Sequence, residues 1–337
     1  MHDRRTLSLA VTLLLAAGSW AASSSAAEGD EAASSGWALA IHGGAGVISR
    51  DMADERKQEY YDGLTKALAA GKEVLAGGGT ALDAVERVVV ILEDDALFNA
   101  GKGAVYTHEG THELDAAIMD GRDRSCGAVT GIKTVKNPVM LARLVMEESP
   151  HVFMMGEGAE TFAGVLDLER VEPSYFDTER RWESLQRALE REEETGAWHE
   201  RFGTVGAAAL DAHGNLAAAT STGGITNKRF GRIGDVPVMG AGTYADNASC
   251  ALSGTGAGEE FIKHTVARTI AALTEYKDLT CAEAAKRVIH QRLQPGDGGV
   301  IGVGPDGGIV WEYNSGGMFR GAADSGGRFE VRIWKDE

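Results

Sequence analysis

The sequence predicts a layered α/β fold with its helices on the outside. Three observations carry the expectation. Strand-type and helix-type segments follow one another as strands, helices, a charged tether, strands, helices and strands. The chain has 337 residues, 43% hydrophobic and 25% charged, enough to build one large core or two smaller ones. Forty-five glycines, about twice the usual share of roughly 7%, come without a collagen period and so mark tight turns and close backbone approaches. The apolar share rules out a wholly disordered chain. A formal charge of −17 argues against nucleic acid, because it repels phosphate.

The N-terminus reads as an export signal. His2-Asp3-Arg4-Arg5 is a basic start, Leu7 to Ala17 an apolar core too short to span a membrane, and Ser25-Ala26-Ala27 a small-residue cleavage site. The expectation is a leader over 1–27 and a periplasmic or secreted product, by the general or the twin-arginine route, with no membrane attachment after its removal. Residues 28–36 form a linker. A strand over Trp37–Ile41 runs into a flexible strand-end loop, His42-Gly43-Gly44-Ala45-Gly46. Residues 54–75 have helical periodicity and stop at Gly77-Gly78-Gly79. Thr80, with Asp83 three residues on, is placed to cap a buried helix through Leu92. Short strands and turns follow to about 135, then helices near 137–148 and 157–166. Residues 168–200 are rich in Glu and Arg and read as a solvated helix or a disordered tether. At Gly203 the composition turns small and apolar. A second strand set begins there, followed by helices over Glu259–Thr274 and Cys281–Gln294. A hairpin, Val300–Val303 to Ile309–Tyr313, closes the pattern.

Several motifs fail on context. His108-Glu109-Gly110-Thr111-His112 matches the zinc-protease pattern, but a central glycine and a strand-like approach deny it the rigid helix that chemistry needs, so it reads as a turn. Gly254-Thr255-Gly256-Ala257-Gly258 lacks dinucleotide-loop spacing, and no G-x-S-x-G elbow occurs. Cys126, Cys250 and Cys281 form no C-x-x-C pair and allow at most one disulfide within the chain.

One constellation survives. Gly203–Leu210 and Leu216–Thr222 flank a five-residue turn, Asp211-Ala212-His213-Gly214-Asn215. In a register symmetric about His213, Leu210 opposes Leu216 and Thr204 opposes Thr222, so two hydroxyls meet at one strand end. A slip of one residue would separate them, and spacing alone favours an ordinary cross-strand threonine pair.

Further motifs stand around this hairpin: G-T-V-G-A-A-A-L-D from Gly203, S-T-G-G-I-T-N-K from Ser221, Gly231-Arg232-Ile233-Gly234-Asp235, G-A-G-T-Y-A-D from Gly240, and G-T-G-A-G-E from Gly254. In the front half come His42–Gly46, Phe98-Asn99-Ala100-Gly101, His112–Ala116 and Ser149-Pro150-His151-Val152. In this order and spacing they resemble the plant-type L-asparaginase/isoaspartyl peptidase family of N-terminal nucleophile hydrolases, over roughly 37–166 and 203–322.

The resemblance implies an αββα four-layer sandwich cut by its own chemistry between Gly203 and Thr204. The products would be an α subunit over 28–203 and a β subunit over 204–337; residues 168–203, which the resemblance does not match, are expected on composition to be a flexible tether. It implies that Thr204 attacks the substrate, its freed α-amine acting as base, and that Thr222 orients its hydroxyl. Arg232 and Asp235 would grip the α-carboxylate and α-ammonium of a free amino acid, with Gly224, Thr255, Gly256, Ala257 and Gly258 lining the site. Thr255 and the Gly256 N–H would form an oxyanion hole. Substrates would be L-asparagine and β-aspartyl dipeptides, hydrolysed without a cofactor by a homodimer of cleaved units. A structural sodium ion would sit on backbone carbonyls of Leu92, Glu93, Asp95, Phe98, Ala100 and Lys102. Ala257 departs from the polar residue of many relatives, and Ser315–Gly321 varies on the family's closing pattern. The second-ranked reading is a glycosylasparaginase, and one of another class is a non-catalytic periplasmic amino-acid binding protein.

Overall fold

The computed structural model describes residues 36–196 and 203–337. The expected leader and its cleavage site lie outside the described residues. The front half gives β1 (Ala38–Gly46), helices α1 (Asp54–Ala76) and α2 (Ala81–Glu93), strands β2 (Leu114–Asp120) and β3 (Cys126–Ile132), helix α3 (Pro138–Glu148), a short β4 (Phe153–Met155) and helix α4 (Gly156–Val165). Of the two readings left open for 168–200, the helix is what the described residues adopt, as α5 (Glu179–Thr195). After Gly203 come β5 (Val205–Leu210), β6 (Leu216–Thr222), β7 (Thr243–Ala245), β8 (Ala251–Gly256), helices α6 (Gly258–His264), α7 (Val266–Lys277) and α8 (Cys281–Gln291), and strands β9 (Gly298–Val303), β10 (Ile309–Tyr313), β11 (Gly317–Asp324) and β12 (Phe329–Arg332).

The architecture is layered α/β, as expected. Eight strands form one sheet in the order β12-β11-β1-β5-β6-β2-β3-β4, and four form a second, β10-β9-β8-β7. Strand alternation sends Leu39, Ile41, Val205, Ala207 and Ala209 to one face of the large sheet, where they pack with Leu64 and Leu68 of α1 and Val85 and Val88 of α2. Ala40, Ala208, Leu210 and Ala218 point to the other face, against Leu252 and Ile301 of the small sheet and Ile270 and Val288 of α7 and α8. Alanines fill much of β5 and β6, which lets flanking layers close over them.

Local signals explain most boundaries. The Thr80 hydroxyl accepts from the Asp83 N–H at 3.1 Å, the predicted cap. In the β5–β6 hairpin Leu210 opposes Leu216 and Val205 opposes Ser221, the symmetric register. Three expectations are corrected. The His42–Gly46 loop is instead the end of β1, which runs on past an irregularity between His42 and Gly44 to pair with β11. The helix drawn over Glu259–Thr274 breaks at Thr265, whose φ of 42° is left-handed. Tertiary hydrogen bonds impose the break: Ala267 and Arg268 at the start of α7 donate to the carbonyls of Ala241 and Gly240 at 3.1 and 2.8 Å. The last helix stops at Gln291, short of Gln294.

Candidate active site

Thr204 and Thr222 lie side by side at one end of the β5–β6 hairpin, on the face turned toward the small sheet. The Thr204 hydroxyl donates to Thr222 Oγ1 at 3.2 Å, and both residues are buried. Thr222 Oγ1 also accepts from the Gly224 N–H at 3.0 Å, and the Gly224 carbonyl accepts from Asn99 Nδ2 at 2.7 Å. Asn99 thus braces the turn after β6, a role its motif did not reveal.

The small sheet approaches from the other side. Thr255, at the end of β8, is fully buried, and its Oγ1 accepts from the backbone N–H of Thr204 at 3.3 Å and of Ala45 at 3.2 Å. With both acceptor positions engaged by N–H groups, the Thr255 hydroxyl hydrogen is left to donate. Gly256 has φ of 150°, and a Cβ there would strike the Asp297 carbonyl, so only glycine fits. Gly203 is packed as tightly: a Cβ on Gly44 (φ 116°) would stand 2.7 Å from Gly203 Cα. Two glycines therefore let β1 press on the peptide just ahead of Thr204.

His42 fixes the far side of Thr204. Its Nδ1 lies 2.9 Å from the Thr204 carbonyl, which can only accept, so Nδ1 carries the hydrogen. Nε2 then accepts from Ser253 Oγ at 2.8 Å. Ser253 in turn accepts from Thr220 Oγ1 at 2.7 Å, and Thr220 from Thr243 Oγ1 at 2.7 Å. Complete burial keeps the imidazole neutral, its pKa pushed down to about 3. Sequence reasoning missed this relay, although His42 stood at the head of a quoted motif.

The loop after β6 carries the candidate clamp. Arg232 is held by Glu259, which accepts from Nε at 2.8 Å and from Nη2 at 2.9 Å. Asp235 is buried with its Oδ2 unpartnered, and burial lifts its pKa to about 7. Gly258 sits between them: a Cβ there would come within 2.7 Å of Arg232 Nη2 and 2.9 Å of Asp235 Oδ1. Ala257 caps α6 beside it, its N–H bonded to the Asp297 carbonyl at 2.7 Å. Arg232 also lines a cavity of about 440 Å³ with Asp115, Thr130, Lys228 and Ile233. The arrangement brings together two paired hydroxyls, a third hydroxyl bonded to the Thr204 N–H, and, on the loop after β6, an arginine and a buried carboxyl.

Other predicted residues are placed apart from this site. The carbonyl-bearing residues Leu92, Glu93, Asp95, Phe98, Ala100 and Lys102 form the turn after α2, on the helix-covered side of the large sheet. Glu93 is buried there with Oε1 accepting from Ser221 Oγ at 2.7 Å, and burial lifts its pKa to about 8. His108 and His112 do not converge. His108 Nδ1 lies 2.8 Å from Asn227 Oδ1, while His112 adjoins the Val105 carbonyl and Asp177, and the segment between them is a turn.

Fold and site together define a hydrolase scaffold of the N-terminal nucleophile type. A family model described as Asparaginase matches residues 35–333, and the chain belongs to the asparaginase family. It is 47% identical over 310 residues to the isoaspartyl peptidase of Escherichia coli K12, covering 89% of this chain and 96% of that one. A probable isoaspartyl peptidase/L-asparaginase 2 of Arabidopsis thaliana is 44% identical, covering 89% and 99% of the two chains. The human isoaspartyl peptidase/L-asparaginase is 43% identical, covering 86% and 93%.

Proposed function

We propose that this protein is an exported isoaspartyl peptidase/L-asparaginase that activates itself by cutting between Gly203 and Thr204. The observation that carries the reading is the 3.2 Å hydroxyl pair Thr204–Thr222 with the Thr255 hydroxyl bonded to the Thr204 N–H, in a chain of the asparaginase family. An αββα four-layer sandwich accords with helices on the outer face of each of two stacked sheets.

In the uncut chain Thr204 Oγ1 attacks the Gly203 carbonyl, the peptide bond passes to an ester, and water releases Gly203 as a carboxylate. The Thr204 α-amine, with an ordinary pKa of about 7.7–8.0, is then free to take the proton from its own hydroxyl. Thr222 orients that hydroxyl. The substrate's α-carboxylate meets the Nη1–Nη2 edge of Arg232, whose Nε–Nη2 edge Glu259 holds, and its α-ammonium pairs with Asp235. Thr204 Oγ1 adds to the β-carbonyl, Thr255 and the Gly256 N–H stabilise the oxyanion, and ammonia or an amine leaves. Water then hydrolyses the β-aspartyl ester to L-aspartate.

The turn after α2 suits a structural sodium ion. The last turn of α2 carries no basic residue, so its carbonyls face no cation of the helix's own. Side chains on Gly101 and Gly103 would strike the Glu93 and Phe98 carbonyls, which glycine leaves open to a hard cation. A homodimer accords with the exposed apolar residues Val152, Phe153 and Met155 at the β4 edge of the large sheet.

Denaturing electrophoresis with N-terminal sequencing of the exported protein tests the reading. We expect two fragments, the smaller beginning Thr204-Val205-Gly206 and the larger starting just after Ala27, and hydrolysis of β-aspartyl dipeptides. Thr204→Ala should give one uncut, inactive chain, and fragments from that variant would refute the assignment. Preferential cleavage of glycosylasparagine would favour the glycosylasparaginase branch. An intact wild-type chain that binds amino acids without hydrolysis would favour the binding protein.

A further inference from the structure

Helix α5 precedes the proposed cleavage point, and the reaction gives it no task, yet it is held at both ends. At its start Arg180 donates to Tyr60 Oη at 2.9 Å and to the Leu97 carbonyl at 2.6 Å, while buried Arg181 donates from Nε to the Gly103 carbonyl at 2.7 Å. Trp182 meets the Tyr106 ring edge-on at 5.3 Å. Toward its end Glu192 Oε2 accepts from Asn227 Nδ2 and from Arg229 Nη2, both at 2.8 Å. The Arg229–Glu192 pair is largely shielded, with side-chain exposures of 21% and 17%, so it is a stronger tie than a surface ion pair.

What Glu192 grips is a loop that needs holding. Phe230 has a left-handed backbone, φ 58°, which a bulky residue rarely adopts unaided, and Asn227, φ 67°, takes the same region, which asparagine tolerates. The Arg232 N–H donates to the Arg229 carbonyl at 3.0 Å, which closes a turn from Arg229 to Arg232. We propose that Glu192 is a positioning residue: from helix α5 it fixes Asn227 and Arg229, and so sets the turn that presents Arg232 to the substrate's α-carboxylate. The inference rests on the proposed role of Arg232. Glu192 acts through Arg229 and touches no substrate. Because α5 is anchored on Tyr60, Gly103, Asn227 and Arg229, it stays docked after the Gly203–Thr204 bond is cut.

The test compares the cleaved wild type with Glu192→Ala, Glu192→Gln and the control Glu183→Ala, which removes only an exposed pair with Arg187. Grip on an α-carboxylate is felt in ground and transition states alike, so its loss enters KM. For a β-aspartyl dipeptide, Glu192→Ala should raise KM about five- to tenfold with kcat within about twofold, on the scale of a lost charged hydrogen bond. Glu192→Gln, which still accepts, should recover most of the loss, and Glu183→Ala should match wild type. Trypsin supplies a readout without turnover: Arg187 and Arg191 should be protected in the cleaved wild type and cut faster in Glu192→Ala. An unchanged KM in Glu192→Ala, a fall confined to kcat, or rapid cutting of α5 in the wild type would overturn the proposal. A wild type that is protected but hydrolyses no aspartyl substrate would instead refute the functional reading.

Discussion

Thr204 is aimed from three directions before anything is cut: Thr222 meets its hydroxyl, Thr255 its N–H and His42 its carbonyl. Asp235 makes the residue-scale prediction. Burial disfavours the charge and pushes its pKa up to about 7, and the substrate ammonium that it is proposed to hold needs the ionised form. As pH falls through 7 the free enzyme loses that form, so KM should rise roughly tenfold per unit below it, while kcat does not follow this group. Steady-state kinetics from pH 5 to 8 would show it, and Asp235→Asn should raise KM throughout and abolish the slope. The Thr204–Thr222 opposition was legible in the sequence once a register symmetric about the short turn was taken, but spacing alone did not set the pair apart from an ordinary cross-strand one. The His42–Ser253–Thr220–Thr243 relay was not. Its members come from β1, β8, β6 and β7, and a lone serine or threonine in a strand has no local mark of a distant partner.

Elements were legible where a local device sets their ends. Thr80 and Asp83 announced α2. The start of α8 is set by the same kind of device, though it was not singled out in the sequence: the Thr280 hydroxyl accepts from the Glu283 N–H, and Glu283 Oε2 accepts from the Thr280 N–H at 2.9 Å. Thr280→Ala should therefore cost about 1 kcal/mol of stability in denaturant unfolding, with KM unchanged, because α8 lies behind the small sheet. Elements whose ends are set at a distance were misread. Nothing near Thr265 breaks a helix; carbonyls at 240 and 241, brought in by the fold, do so. Strands β11 and β12 follow the hairpin that seemed to close the chain, and only their pairing with β1 gives them meaning.

At the scale of the molecule, the large sheet interleaves its two halves. β1, β2, β3 and β4 precede Gly203, whereas β5, β6, β11 and β12 follow it, and the sheet order sets β1 between β11 and β5 and sets β6 beside β2. Cutting the chain at Gly203 severs no ladder. The fragments should accordingly elute as one particle in size-exclusion chromatography and unfold in a single transition by fluorescence and circular dichroism alike. Separation without denaturant would contradict the topology. Strand alternation and composition made the layers readable, but which strand neighbours which depends on contacts between distant segments.

That interleaving reaches back to how the protein is made. Neither half could complete its own sheet if translated from a separate message, since each lacks the neighbours supplied by the other. One ribosome delivering both halves in fixed proportion solves an assembly problem, and the proposed scission would then free an amino end only after both halves have been placed in one sheet.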